Sequence, residues 1–357
     1  MRKQRRITLS AFCFLLTFTV YGQWEYRKII TNDNITYPET SKLAQITNTI
    51  GITEISIKYH RPAVRNRIIF GTLIPYGSVW RAGANESTTI SFQDDVTING
   101  QPLESGIYGL HIIPNKDEWT IIFSKNNTQW GSFYFDESED ALRVSVVPEN
   151  SEHQEYLKYD FRTISDNSTH ITLTWADTKV TFTVAVDEVA TTLAVIEDEL
   201  RTLPRFSWRG NREAAFYLWL HDIHLDKALK MVDRSISYER RFENVYQKAL
   251  ILESLGSTVE AEKLFNEAKA LGNERMYLYV GREALGHHNS AEKAITLFEK
   301  ALKYYPNSFQ AMMLKGRVYG WMGKFDEAIR HFNKALVLAQ TQKDKDRVQS
   351  ERNVFKQ

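Results

Sequence analysis

Between Leu43 and Val186 the hydrophobic positions recur mostly at every second residue. Leu142, Val144 and Val146 alternate with Arg143 and Ser145; Ile171, Leu173 and Trp175 alternate with threonines; Val180, Phe182, Val184 and Val186 continue the pattern. Such a period turns one face of a strand to a core and the other to water. Ile52, Ile55, Ile57 and Tyr59 keep it less strictly, and the break at Glu54-Ile55 predicts a bulge. Turn-forming residues separate the runs at Asn99-Gly100, Ser105-Gly106, Pro114-Asn115 and Asp166-Asn167-Ser168. Asn99-Gly100, between Ile98 and Leu103, is the strongest hairpin signal. Many short strands at this spacing predict an antiparallel β-sandwich or barrel-like domain over residues 43–187.

After Asp187 the period changes. Val189, Leu193, Ile196 and Leu200 share one helical face, which predicts a linker helix over 188–208. Beyond it Ala228, Ala261, Ala294 and Ala328 recur at spacings of 33, 33 and 34 residues. Four residues after each comes Val232, Phe265, Phe298 or Phe332, and three later Ser235, Ala268, Ala301 or Ala335. Trp219, Leu252, Leu285 and Tyr319 precede the anchors by nine. This self-similarity resembles tetratricopeptide repeats, here over 209–340. Alanines let paired helices approach, and the larger residues plug the space between neighbouring repeats. The fold class expected is therefore α+β in two domains, with a charged tail at 341–357. The resemblance implies a protein or peptide partner along a groove, with Tyr277, Arg282, Lys315 and Tyr319 as groove-side positions, Tyr319 equally suited to the core. The alternative is a short array that only buttresses the sheet domain.

The amino terminus sets the expected compartment. Arg2, Lys3, Arg5 and Arg6 precede an uncharged apolar run, Ile7 to Tyr21, and a small residue, Gly22. This is the layout of a signal peptide (1–22) cut between Gly22 and Gln23, followed by a segment over 23–42. The apolar run is short for a membrane span, so an uncleaved anchor is the weaker reading. The expectation is an exported protein, periplasmic or secreted, with no membrane span after cleavage. Cleavage removes Cys13, the only cysteine, and with it any disulfide, thiolate nucleophile or sulfur-based metal site. From Gln23 to Asp187 there are 14 basic against 21 acidic residues, and from Glu188 onward 27 against 23. Neither balance suits a nucleic-acid binder. The opposite signs, −7 and +4, would help the two parts dock.

Candidate chemistry concentrates in Arg61–Thr89, where arginines, Trp80, Asn85 and Glu86 crowd into a segment punctuated by proline and glycine. Ile57-Lys-Tyr-His-Arg-Pro62, Ile69-Phe-Gly71, Pro75-Tyr-Gly77, Trp80-Arg-Ala-Gly-Ala-Asn-Glu86 and Ser105-Gly-Ile-Tyr108 resemble the signatures of the domain of unknown function 2911 family. The resemblance spans Leu43 to Asp187 and implies an exported bacterial β-domain without an established activity. The family more often has serine before Arg-Pro, so His60 departs from it and makes a poor catalytic residue. Arg61, Arg65, Arg67 and Arg81 offer planar donor forks to a carboxylate, phosphate or sulfate. Trp80 and Tyr108 offer flat faces to a sugar or aromatic ligand. Glu86 is the candidate general base, a role that burial would favour. The structural alternative pairs Glu86 with an arginine, uses Asn85 to hold a turn, and puts Trp80 in the core.

Trp130–Asp140 forms a second aromatic and acidic cluster, best read as a solvated turn because it lacks calcium-loop spacing. His221 and His224 sit three apart without a visible third ligand, so no metal and no cofactor is expected. Two functions stay open. One is an exported binding or scaffold protein, with an anionic or carbohydrate ligand in the sheet domain and a protein partner on the repeats. The other is an envelope hydrolase using Arg61, Arg81, Asn85 and Glu86. No complete catalytic constellation supports the second.

Overall fold

The computed structural model describes residues 38–287 and 290–355. The expected signal peptide, its cut at Gly22-Gln23, most of the 23–42 segment and His288 lie outside them. Among the described residues the first domain contains β1 (Lys42–Ile50), β2 (Thr53–Arg61), β3 (Thr89–Phe92), β4 (Val96–Ile98), β5 (Gln101–Leu103), β6 (Gly106–Ile113), β7 (Trp119–Ser124), β8 (Asp140–Val146), β9 (Glu149–Ser165) and β10 (Ser168–Ala185). They form two antiparallel sheets, β1-β2-β3-β6-β7-β8 and β5-β4-β10-β9. Asn99 and Gly100 adopt positive φ of 48° and 81° and turn β4 into β5. That is the backbone a tight hairpin with the right-handed strand twist requires.

The inner faces of both sheets share one core, with Ile55, Ile57, Leu110, Ile121, Phe123, Trp119, Leu173, Trp175 and Val184 within it. The chain after β2 also binds β9. Ala63 bridges Tyr156, Val64 N–H donates to Glu155 O, and Leu157 N–H donates to Pro62 O. This seam stitches the sheets together along one edge and gives the sandwich its barrel-like character.

The predicted bulge at Glu54-Ile55 is absent. β1 and β2 pair in unbroken register from Lys42↔Arg61 to Ile50↔Thr53, and Ile52 belongs to the Gly51-Ile52 turn instead. Irregular register occurs in the long β9–β10 hairpin, including around Thr174 and Ala176.

The second part holds α1 (Glu188–Glu199), then α2 (Trp208–Leu220), α3 (Leu225–Tyr238), α4 (Phe242–Ser254), α5 (Thr258–Leu271), α6 (Glu274–Ala284), α7 (Ala291–Tyr304), α8 (Phe309–Trp321), α9 (Phe325–Leu338) and α10 (Gln342–Val354). From α2 to α9 they pack as successive antiparallel pairs. Ala228, Ala261, Ala294 and Ala328 are buried between helices, as are Val232, Phe265, Phe298 and Phe332. The charged segment after residue 340 is a largely exposed helix that still docks on the array. α10 buries Val348, and Phe355 stacks on Phe332 with ring centroids 5.9 Å apart. No helix among the described residues is long and apolar enough to cross a membrane.

Candidate functional site

The segment between β2 and β3 folds back over one end of the sandwich. Trp80 exchanges both backbone hydrogen bonds with Ile112 of β6, and Glu86 bridges Trp130. Arg65, Asn66, Ala82 and Asn85 all sit at positive φ, between 51° and 59°. Four non-glycine residues in the left-handed region within one segment represent strain that surrounding contacts must offset. Ala82 shows how: its carbonyl accepts from Tyr159 Oη at 2.9 Å and from Thr88 Oγ1 at 3.1 Å.

These loops enclose a cavity of about 400 Å³ whose walls include Arg65, Arg67, Trp80, Arg81 and Trp175. Among the described residues no aspartate or glutamate lines it. The two indoles form its apolar base, stacked at 5.7 Å and 21°, with Phe70 edge-on to both. Trp80 Nε1–H donates to Gly83 O at 3.0 Å, whereas the buried Trp175 Nε1 has no partner among the described residues. Trp175 lies where the β10 register shifts and alternation lapses, beside Ala176 at φ 53°. Bulges re-aim side chains in this manner next to binding sites.

The guanidinium groups differ in their freedom. Arg67 is tied to Val64 O and Ala63 O. Arg81 places its cationic head 5.6 Å from the Trp130 ring centroid, and its buried Nε has no partner among the described residues. Burial lowers the Arg81 pKa, and the charge of Glu86 opposes that shift. Arg65 donates only its backbone N–H, to Glu155, and none of the three cavity arginines forms an ion pair among the described residues. Buried donors without acceptors are costly, and here they are Arg81 Nε and Trp175 Nε1, while the Arg65 and Arg67 side chains are exposed.

Other candidate residues go elsewhere. Arg61 turns to Leu157 O and lies 6.0 Å from the Tyr156 ring, beside the cavity rather than in its wall. Tyr108 is not part of this cluster. It is buried against Phe92 and Phe123 and donates to Glu104 O, because its β6 position faces the core. Asn85 holds the chain ahead of β1, donating to Glu39 Oε2 at 3.1 Å and Ser41 O at 3.4 Å. The Glu86 side chain is 64 % exposed and contacts His60 Nδ1 at 3.4 Å; it pairs with this histidine rather than with an arginine.

His60, set aside in the sequence, is therefore structurally central: its buried ring also meets Glu39 Oε2 at 3.2 Å. The Trp130–Asp140 segment is likewise more than a solvated turn. Ser132 Oγ lies 3.3 Å from His111 Nδ1, and Phe135 packs edge-on to that ring, sealing it completely. Thr40 and Ser41 complete the cavity wall, and no sequence signal marked them. Among the groove-side expectations on the repeats, Arg282 faces a cavity. Tyr277 is buried in the core, Lys315 is buried and paired with Glu299, and Tyr319 packs against the helical core beside His331. Among the described residues no cluster of three or more His, Cys, Asp or Glu side chains is arranged to hold a metal ion.

Comparison with curated proteins finds no match. Among solved structures, MamA is similar at 20% identity, with 42% of this chain and 88% of that chain covered and a TM-score of 0.25. YrrB, described as a TPR protein with an unusual peptide-binding site, is similar at 15% identity, with 46% and 84% covered and a TM-score of 0.24. The C-terminal part of a TPR repeat-containing protein from Cytophaga hutchinsonii is similar at 16% identity, with 46% and 67% covered and a TM-score of 0.24. Residues 309–342 match the family model described as tetratricopeptide repeat. Residues 41–184 match that described as protein of unknown function (DUF2911), so the chain joins a domain of this family to a tetratricopeptide-repeat array.

Proposed function

We propose that the protein is an exported binding scaffold. The sandwich cavity takes a small organic anion with a flat or apolar body, and the repeats engage a protein partner. The observation that carries the ligand reading is the meeting of Arg65, Arg67 and Arg81 around a tryptophan base, with no acid in the wall among the described residues. Guanidinium donors complement carboxylate, sulfonate or phosphate oxygens, and the indoles complement a ring. A carbohydrate fits this wall less well. Sugar hydroxyls need acceptors as well as donors, and among the described residues the lining contains no carboxylate or side-chain amide. Glu86 is exposed and outside the described lining, so it is not placed to act as a base on a ligand held in this cavity, and the hydrolase alternative loses its candidate. Export is supported by the basic and apolar segments ahead of Gly22.

The test is a thermal-shift comparison using indole-3-acetate and phenyl phosphate against their uncharged amide and alcohol counterparts. A ligand at one hundred times its Kd stabilises by about 2.7 kcal/mol. The anions should raise the Tm of the parent and lose that effect in Arg81→Ala and Arg67→Ala, with the uncharged compounds inactive throughout. Equal shifts in parent and variants would remove the cavity from the explanation. Mass spectrometry of secreted or periplasmic material should find Gln23 as the first residue, and an intact amino terminus would refute the export reading.

A further inference from the structure

The groove formed by the first helices of successive repeats is electrostatically uneven. At its α2–α4–α6 end a cavity brings Arg209, Arg212 and Arg241 together with Glu213, Glu243 and Glu283. There the charges neutralise one another, with Arg212 paired to Glu283 and Arg241 to Glu239. At the α6–α8–α10 end a larger cavity, about 590 Å³, gathers Arg275, Arg282 and Arg347. Its single acid among the described residues, Glu274, is engaged by the Ser308 hydroxyl at 2.5 Å. Arg317 stands nearby and is occupied by Glu351. None of Arg275, Arg282 and Arg347 forms an ion pair among the described residues. Burial lowers the pKa of Arg282, and Arg347, Arg317 and Arg275 add repulsion from the same side.

Like charges held together without a counter-charge cost folding energy, and an anion supplied from outside reverses the sign of that cost. The amides of Asn307 and Gln310 line the same cavity and offer paired donors and acceptors suited to a main chain. A nucleic-acid backbone would need the positive stripe to continue, and the balanced end interrupts it.

We propose that the cavity between α6, α8 and α10 holds an acidic stretch of a partner polypeptide, with two of its carboxylates received by Arg282 and Arg347. This rests on the reading of the repeats as a protein-interaction module and specifies the kind of partner. The experiment pans a random peptide library on the full-length mature chain, then measures a fluorescein-labelled Glu-rich decapeptide by anisotropy beside its Gln-substituted counterpart. Acidic sequences should be enriched, and the acidic peptide should bind while the Gln version does not. Arg282→Gln should weaken it roughly tenfold and the double variant with Arg347→Gln about a hundredfold, with Arg209→Gln at the balanced end within twofold of the parent. Both substituted side chains are exposed, and losing one should leave the Tm unchanged or raise it by relieving repulsion. Three results would overturn the proposal: unchanged affinity in the double variant, displacement by inorganic phosphate as effective as by acidic peptide, or enrichment of non-acidic peptides. The last would leave the protein-interaction reading intact, whereas no enrichment at all would count against both.

Discussion

His111 is wholly buried on the outer face of β6, and burial pushes its pKa from 6.5 down to about 4. The imidazole is therefore neutral in the folded protein over a range where the unfolded chain binds a proton. Folding must release that proton, so stability should fall as pH drops from about 6.5 toward 4, by on the order of 3 kcal/mol in total. His331 is shifted in the same direction and His153 in the opposite one, so the contribution of His111 is read as a difference. Denaturant unfolding of the parent and of His111→Met across this range should show a flatter pH dependence in the variant. Parallel curves would mean the ring titrates freely. At this scale the arginines were legible because they crowd a proline- and glycine-punctuated segment. Trp175 was not, since strict alternation makes it an ordinary inward residue and only the irregular register at Thr174–Ala176 brings it to the cavity. His60 was passed over for a related reason: two flanking acids, Glu39 and Glu86, meet it only after the chain has folded across β2.

The helical elements are joined by one recurrent device, an aromatic ring seated against a glycine. A Cβ on Gly281 would lie 2.4 Å from Phe298, and one on Gly316 would lie 3.2 Å from Phe332. Helix propensity alone favours Gly281→Ala by about 1 kcal/mol. Overpacking against a fully buried phenylalanine costs typically 1–3 kcal/mol, so the packing term should win. Urea unfolding should show Gly281→Ala less stable than the parent, with partial recovery on adding Phe298→Leu. A stabilised single variant would contradict the packing. The repeats were readable because their alanines return at an almost constant interval. The docking of α10 was not legible, because a helix with a single fully buried position carries no amphipathic signal and its seat depends on Val348 and Phe355 finding space left by α8 and α9.

Across the whole molecule the sandwich core and the helical core are separate clusters, and α1 runs between them. Its Leu193 packs on the helical side, while Glu188 lies over Gly51 of the β1–β2 turn, where an added Cβ would come within 3.3 Å of its Cγ. Two cores with so slender a join should unfold independently. Scanning calorimetry of the full chain should resolve two transitions, reproduced by the pieces 38–187 and 188–355 prepared separately. One cooperative transition would show that the halves stabilise each other. The change of hydrophobic period at Asp187 revealed this division directly, whereas nothing in the residue order indicated that Thr40 and Ser41 close the cavity. That wall position offers a practical opening. Cys13 is the chain's single thiol and precedes both cores. A fluorophore on Thr40→Cys in a protein beginning at Gln23 would thus be a unique label, stationed at the doorway of the arginine pocket, its brightness changing as a guest enters.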